Sequence, residues 1–145
     1  MLKVSLYIVS FVIGYAAVSL LSENSNAQIE RLPIAKSDLV LEVHKTHAHA
    51  FLAEYDFKIV LKAGSREIDS KDMTGDSGGS SRIDVLRISP SLYAFRDHGK
   101  TVCLDIRERK LDAKCDSQTS ATRVGHFDFD SSKRWRYISE VEDDW

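Results

Sequence analysis

The chain has 145 residues, of which 43% are hydrophobic and 29% are charged. This composition excludes a disordered chain, a collagen-like repeat and a multi-pass membrane protein. Twenty Lys and Arg residues against 22 Asp and Glu residues give a net charge of −2, so no basic excess is present to neutralise nucleic-acid phosphates. We therefore expect one globular domain at most and no nucleic-acid partner.

The first 27 residues carry a targeting signal. Lys3 is followed by an uncharged apolar run over residues 4–21. Ser25 and Ala27 then place small residues three and one positions before Gln28, which is the pattern that a signal peptidase recognises. We expect cleavage after Ala27 and export of residues 28–145 to the periplasm or the cell exterior. In the alternative, the run remains as a membrane anchor, because it reaches the lower limit of a bilayer span.

The remainder of the chain predicts an all-β domain. Apolar and polar residues alternate in stretches that turn residues separate, as in half-buried antiparallel strands. Roughly eight strands are predicted, over residues 39–51, 55–62, 83–88, 92–96, 102–106, 111–115, 126–130 and 134–137. The polar segment 28–38 and the segment 69–81 are expected outside strands. The predicted fold class is a single antiparallel β-sandwich or small barrel over residues 28–145.

Cys103 and Cys115 are the two cysteines of the chain. An oxidising compartment allows them to pair, and their spacing matches no metal site, so we predict a disulfide worth about 3 kcal/mol in the chain-entropy model. The alternation of the two flanking strands places Cys103 on the polar face and Cys115 on the apolar face. Pairing within a hairpin then requires a bulge or a turn centred on Arg109.

The sequence GDSGG at residues 75–79 resembles the motif around the nucleophilic serine of the chymotrypsin-like serine proteases. That resemblance implies two β-barrels and a distant catalytic histidine, for which this chain has neither the length nor the sequence context. Asp69, Asp72 and Asp76 nearby lack the ligand spacing of an EF-hand calcium loop. The segment 69–81 is therefore predicted to be a surface loop without catalytic or metal-binding function.

Three of the five histidines lie between residues 44 and 49. His47 and His49 would share one face of a strand about 7 Å apart, a spacing that can chelate zinc or copper. His44 has the opposite parity, which leaves two ligands where a stable site needs three or four. His126, Asp128 and Asp130 form a second polar stripe that completes a site only if the two strands are neighbours.

The C-terminal segment has the composition of a protein interface. Arg134, Trp135, Arg136 and Tyr137 combine the residue types that dominate interface energetics, and Trp145 ends an acidic tail. Strand parity makes Trp135 and Tyr137 candidates for the core as well, with the two arginines on the solvated face.

No cofactor motif and no convergent catalytic set is evident in the sequence. The favoured hypothesis is an exported protein that is not an enzyme and binds another protein, specifically an inhibitor or immunity-type protein against an exported toxin or hydrolase. The alternatives are a periplasmic metal-binding protein that uses His47 and His49, and a small hydrolase with an unidentified nucleophile. A membrane is a partner only if the N-terminal segment is uncleaved.

Overall fold

The computed structural model describes residues 27–48, 54–73, 81–115 and 121–140. Within these residues the chain forms ten strands. Their bounds are β1 (Gln28–Pro33), β2 (Leu39–His47), β3 (Tyr55–Ala63), β4 (Arg66–Met73), β5 (Ile83–Ser89), β6 (Leu92–Arg96), β7 (Thr101–Asp105), β8 (Lys110–Asp112), β9 (Thr122–Phe129) and β10 (Trp135–Ser139).

Two antiparallel sheets make up the fold. The four-stranded sheet has the order β1-β2-β3-β4 and the six-stranded sheet the order β10-β9-β5-β6-β7-β8. The predicted all-β class is confirmed, and the arrangement is a β-sandwich rather than a closed barrel. No described element is a helix of the length and hydropathy that would cross a membrane.

The core lies between the sheets and consists of the inward residues of every long strand. Alternation explains most of its composition, because the inward positions of β2, β3, β5 and β6 are mainly apolar. The largest fully buried side chains include Leu41, Phe57, Ile59, Leu61, Ile83, Phe95, Leu104, Leu111 and Phe127.

Two strands were not predicted, and both are edges of the four-stranded sheet. The segment 28–38, expected to lack a strand, contains β1, and residues 69–73 of the expected loop belong to β4. Each of these two strands has a single buried residue, Leu32 in β1 and Met73 in β4, and most of its other residues are polar or charged, so neither sequence shows clear apolar alternation. The strand count of roughly eight was therefore too low.

Carboxylates bridge the sandwich at both edges. Glu30 Oε1 on β1 accepts a hydrogen bond of 3.3 Å from the Tyr137 amide on β10. Asp69 Oδ2 on β4 accepts one of 2.7 Å from the Leu111 amide on β8. Each bond satisfies an edge-strand amide that would otherwise be free to pair with another chain.

The Cys103–Cys115 disulfide is present, with 5.9 Å between the Cα atoms. Cys103 lies on the outer face of the six-stranded sheet, beside buried Leu86 and Ala94. Neither the bulge nor the cross-strand pairing expected from the sequence accounts for the bond, because β8 ends at Asp112 and Cys103 pairs in register with that residue. Instead, the disulfide joins the connection that follows β8 to the outer face of the sheet.

β5 is a central strand. Residues 83–88 have apolar side chains on both faces apart from Asp84 and Arg87, as expected for a strand covered on both sides, and β5 lies between β9 and β6 in the six-stranded sheet. Its inward face joins the main core through Ile83 and Val85, and Leu86 on the opposite face joins the cluster beside the disulfide.

Candidate functional site

One end of the sandwich collects most of the candidate residues, and we call it the loop end. There β1, β3, β5 and β10 begin and β2, β4, β6 and β9 end. The antiparallel register thus brings the described connecting residues 48, 54, 81–82, 97–100 and 130–134 to the same side of the molecule. Residues 49–53 and 74–80, which include His49 and the GDSGG motif, lie outside the described residues.

Lys45 is buried at the loop end, with 2% of its surface exposed. It follows Leu39, Leu41 and Val43 in the alternation of β2, so its side chain enters the space between the sheets. Its Nζ atom lies 3.9 Å from the ring centroid of Tyr55 and 3.9 Å from that of Phe129. Aromatic faces attract an ammonium group, so the two rings hold its charge from opposite sheets.

Lys45 has few polar partners for a buried charge. Its Nζ donates to Gln28 Oε1 at 3.4 Å, which is a long hydrogen bond. Burial lowers the pKa of the Lys45 ammonium from 10.5 to about 8, and the charge of Asp128 acts in the opposite direction. A buried ionisable group with a perturbed pKa beside loops is a candidate functional residue.

Further aromatic groups extend this site across the sandwich. His47 and Tyr55 have ring centroids 4.9 Å apart, and Lys45 Nζ lies 5.7 Å from the ring of Trp135. We call Lys45, His47, Tyr55, Phe129 and Trp135 the lysine–aromatic cluster. Two of these residues, His47 and Trp135, were candidates from the sequence for different reasons, and the fold brings them to one place.

Exposure within the lysine–aromatic cluster is uneven. His47 is exposed and Phe129 keeps 38% of its surface accessible, whereas Trp135 keeps only 6%. The Trp135 indole donates to the Ser81 carbonyl at 2.9 Å and stacks between Phe57 and Phe127. Trp135 is therefore a core residue beneath the site, and a partner could contact His47 and Phe129 directly.

The remaining interface candidates also differ in how far they are exposed. Tyr137 is half-buried and its hydroxyl donates to the Val124 carbonyl at 3.2 Å. Arg134 and Arg136 are on the solvated face, with side chains 70% and 51% exposed, and both pair with Asp130. Trp145 lies outside the described residues. The two arginines therefore remain available as surface contacts next to the loop end.

The metal hypothesis gains no support within the described residues. No group of three or more His, Cys, Asp or Glu side chains there could hold a metal ion. His126 is not directed toward His47, because it lies on the six-stranded sheet and its Nδ1 is 2.8 Å from Glu140 Oε1. Within the described residues His47 therefore forms no metal site with His126, Asp128 and Asp130, and the other histidine of the expected composite site, His49, lies outside them.

A second polar cluster occupies the outer face of the six-stranded sheet. Glu140 pairs with Arg123 at 2.7 Å and with His126, and Asp84 pairs with Arg82 at 2.8 Å. A shallow cavity of about 260 Å³ adjoins it, lined by Arg82, Asp84, Arg96, Asp97 and His98. The lining residues balance two arginines with two aspartates, so the cavity has no clear preference for an anion or a cation.

Sequence reasoning missed Lys45, Tyr55 and Phe129. One signal was available for Lys45, which occupies the next inward position after the apolar residues of β2. A lysine in that phase is either at the end of a buried face or held by special partners. Tyr55 and Phe129 continue the inward phase of β3 and β9, but their convergence depends on how the sheets are packed.

No protein-family model, no curated protein and no solved structure matches this chain.

Proposed function

We propose that this protein is an exported binding protein without catalytic activity, which recognises another protein through the loop end of its sandwich. The observation that carries the proposal is the lysine–aromatic cluster, in which a buried ammonium is held by aromatic rings beside two exposed side chains. Loops at the end of a rigid β-sandwich are a common location for recognition. Aromatic residues and arginine supply much of the energy of protein interfaces.

The disulfide and the N-terminal segment both support the proposed export. The disulfide is consistent with an extracellular or periplasmic location. The signal-like segment before Gln28 supports export in particular. Both thiols should resist labelling in denatured, non-reduced protein taken from the exported fraction, and two labelled cysteines there would contradict this location.

The specific version that we favour is an inhibitor or immunity-type protein that blocks an exported toxin or hydrolase. A small sandwich with a disulfide and bridged edges is a rigid support for a binding surface, which reduces the entropy lost on binding. The partner is expected to pack an apolar or aromatic side chain against Phe129 and to place carboxylates near Arg134 and Arg136.

Site-specific photocrosslinking in the producing cells tests the proposal. A photoreactive residue at exposed Arg134, next to the loop end, should give a covalent adduct with one major protein. The same residue at exposed Arg107, in the turn between β7 and β8 at the opposite end, is the matched control and should give none. Equal adducts at both positions, or none at position 134, would contradict the proposed surface.

A second variant then tests the cluster itself. Phe129→Ser should reduce the adduct yield at position 134 by about tenfold, since an interface anchor typically contributes upward of 1 to 2 kcal/mol. The paired charge exchange Arg107→Glu with Glu108→Lys leaves the net charge unchanged and should have no effect. A Phe129→Ser protein that remains folded and crosslinks like the wild type would exclude the cluster from the interface.

A further inference from the structure

We infer that Gln28, once it is the N-terminal residue, is converted to pyroglutamate and that Lys45 promotes this reaction. The inference rests on the proposed cleavage after Ala27 but not on the identity of the partner. It assigns a modification to the first residue of the exported protein and a chemical role to the lysine–aromatic cluster.

The geometry places the reacting residue against Lys45. β1 begins at Gln28, and the preceding Ala27 is exposed and outside the strand. Gln28 and Lys45 are direct partners in the antiparallel register of β1 and β2, so their side chains share a face of the sheet. Lys45 Nζ donates a hydrogen bond to Gln28 Oε1, the oxygen of the amide that would react.

The reaction balances without an oxidant or a co-reactant. The α-amino nitrogen of Gln28 forms a bond to its own Cδ, and the bond between Cδ and Nε2 breaks. Nε2 leaves as ammonia after it takes a proton that the attacking amine releases. Oε1 remains as the carbonyl oxygen of the five-membered lactam.

Lys45 assists this reaction in two ways. Its hydrogen bond to Oε1 polarises the amide carbonyl and stabilises the negative charge that develops on the oxygen during attack. Its positive charge also disfavours a second ammonium at the adjacent N-terminus, so more of the α-amine is in the neutral, nucleophilic form. Asp128 is the carboxylate that acts on Lys45 from β9, and the Tyr55 and Phe129 rings hold the lysine in place.

The cyclised product avoids repulsion between two neighbouring positive charges. Cleavage would add an α-ammonium next to a lysine that already has little compensation for its charge. Because the lactam is neutral, it removes the added charge and keeps the oxygen that Lys45 contacts.

Intact-mass measurement of protein exported by cells that express the full chain tests the inference. We expect a chain that begins at residue 28 and is lighter by one ammonia. Lys45→Met should slow the conversion several-fold, because the variant loses both the hydrogen bond to Oε1 and the charge that favours the neutral amine. Lys58→Met, a half-buried lysine on the outer face of the same sheet, should not slow it.

The possible outcomes separate the two proposals. A chain that begins at Gln28 with an intact amide would overturn the modification and leave the cleavage correct. A chain that begins elsewhere would overturn the cleavage and the modification with it. If Lys45→Met fails to fold, a peptide of residues 28–38 provides the reference, and a folded protein that converts no faster than the peptide would exclude a role for Lys45.

Discussion

Glu42 and Lys45 lie three residues apart on β2 and have almost the same burial, with 3% and 2% of their surfaces exposed. Their side chains point to opposite faces of the sheet, and their surroundings compensate the charges in different ways. Glu42, on the outer face, lies within 3.0 Å of Arg31, His44 and Lys62. The ammonium of Lys45, on the inner face, is surrounded mainly by aromatic rings, whereas the carboxylate of Glu42 is surrounded by basic side chains.

The pKa values record this difference. Burial alone would raise the pKa of Glu42, but the hydrogen bonds from Arg31, His44 and Lys62 outweigh it and lower the pKa from 4.5 to about 2. For Lys45 the burial effect prevails and lowers the pKa to about 8. Both shifts are downward, so the fold favours the charged form of Glu42 and disfavours the charged form of Lys45. The first residue is therefore expected to stabilise the sheet, and the second carries a charge that the fold compensates less completely.

The largest expected effect comes from Glu42→Gln. Removal of this charge leaves the cationic groups of Arg31 and Lys62 together without their carboxylate, and His44 keeps no carboxylate partner there. We expect the free energy of unfolding at pH 7 to fall by about 2 kcal/mol, which is less than for a fully enclosed pair because the Arg31 side chain is 70% exposed. Urea unfolding measures the change, with exposed Glu67→Gln on β4 as the control. A loss no greater than that of the control would show that the charge cluster adds no stability.

The pH dependence of the same variant gives the next test. Since the folded-state pKa of Glu42 is lowered, its contribution is complete above pH 4.5 and disappears as the pH falls toward 2. The stability difference between the wild type and Glu42→Gln should therefore shrink across that range. A difference that stays constant from pH 6 to pH 3 would contradict the assigned shift.

Local signals in the sequence predict much of this fold. The all-β class and the strands β5, β6, β7, β9 and β10 follow from apolar alternation and turn residues. Strands β1 and β4 were not predicted because only Leu32 and Met73 are buried in them, so their sequences carry little apolar alternation. The burial of Glu42 could not be predicted either, because it depends on Arg31 and Lys62 from the two neighbouring strands.

The candidate site was predictable only in parts. His47 and Trp135 were selected for metal binding and for interface composition, and neither argument indicated that they share one end of the fold. Their proximity depends on the packing of one sheet against the other, which leaves no trace in the spacing of residues along the chain. Lys45 lies between these two residues, near Trp135 and near the Tyr55 ring that contacts His47. A lysine on the apolar face of β2 was the one sequence signal that indicated this site.

Lys45→Met is expected to have a smaller effect on stability, in the opposite direction. Methionine keeps much of the volume and removes a charge that the fold disfavours, so the free energy of unfolding at pH 7 should stay equal or rise by about 1 kcal/mol. The pH dependence gives a second readout of the same variant. The pKa of Lys45 is lower in the folded state than in the unfolded chain, so between pH 8 and 10.5 the lysine binds more protons in the unfolded state. The wild type should therefore gain stability relative to Lys45→Met across this range. Urea unfolding from pH 7 to 10 measures it, with Lys58→Met as the control. A clear loss of stability at pH 7 would make Lys45 a structural residue.

The smallest effect, and the sharpest test of the comparison, concerns the ring that faces Lys45 from the six-stranded sheet. Phe129→Leu keeps an apolar side chain but removes the aromatic face 3.9 Å from the ammonium. The charged form then loses an attraction of about 0.5–1 kcal/mol, so the pKa of Lys45 should fall further and the free energy of unfolding at pH 7 should drop by a similar amount. Nuclear magnetic resonance titration of the lysine side chain measures the first change and urea unfolding the second.

In the Lys45→Met background the same substitution should have almost no effect on stability, because no charge remains for the ring to hold. An equal loss in both backgrounds would mean that Phe129 contributes packing alone, and that aromatic rings do not replace the charged partners that Glu42 has on the other face of the strand.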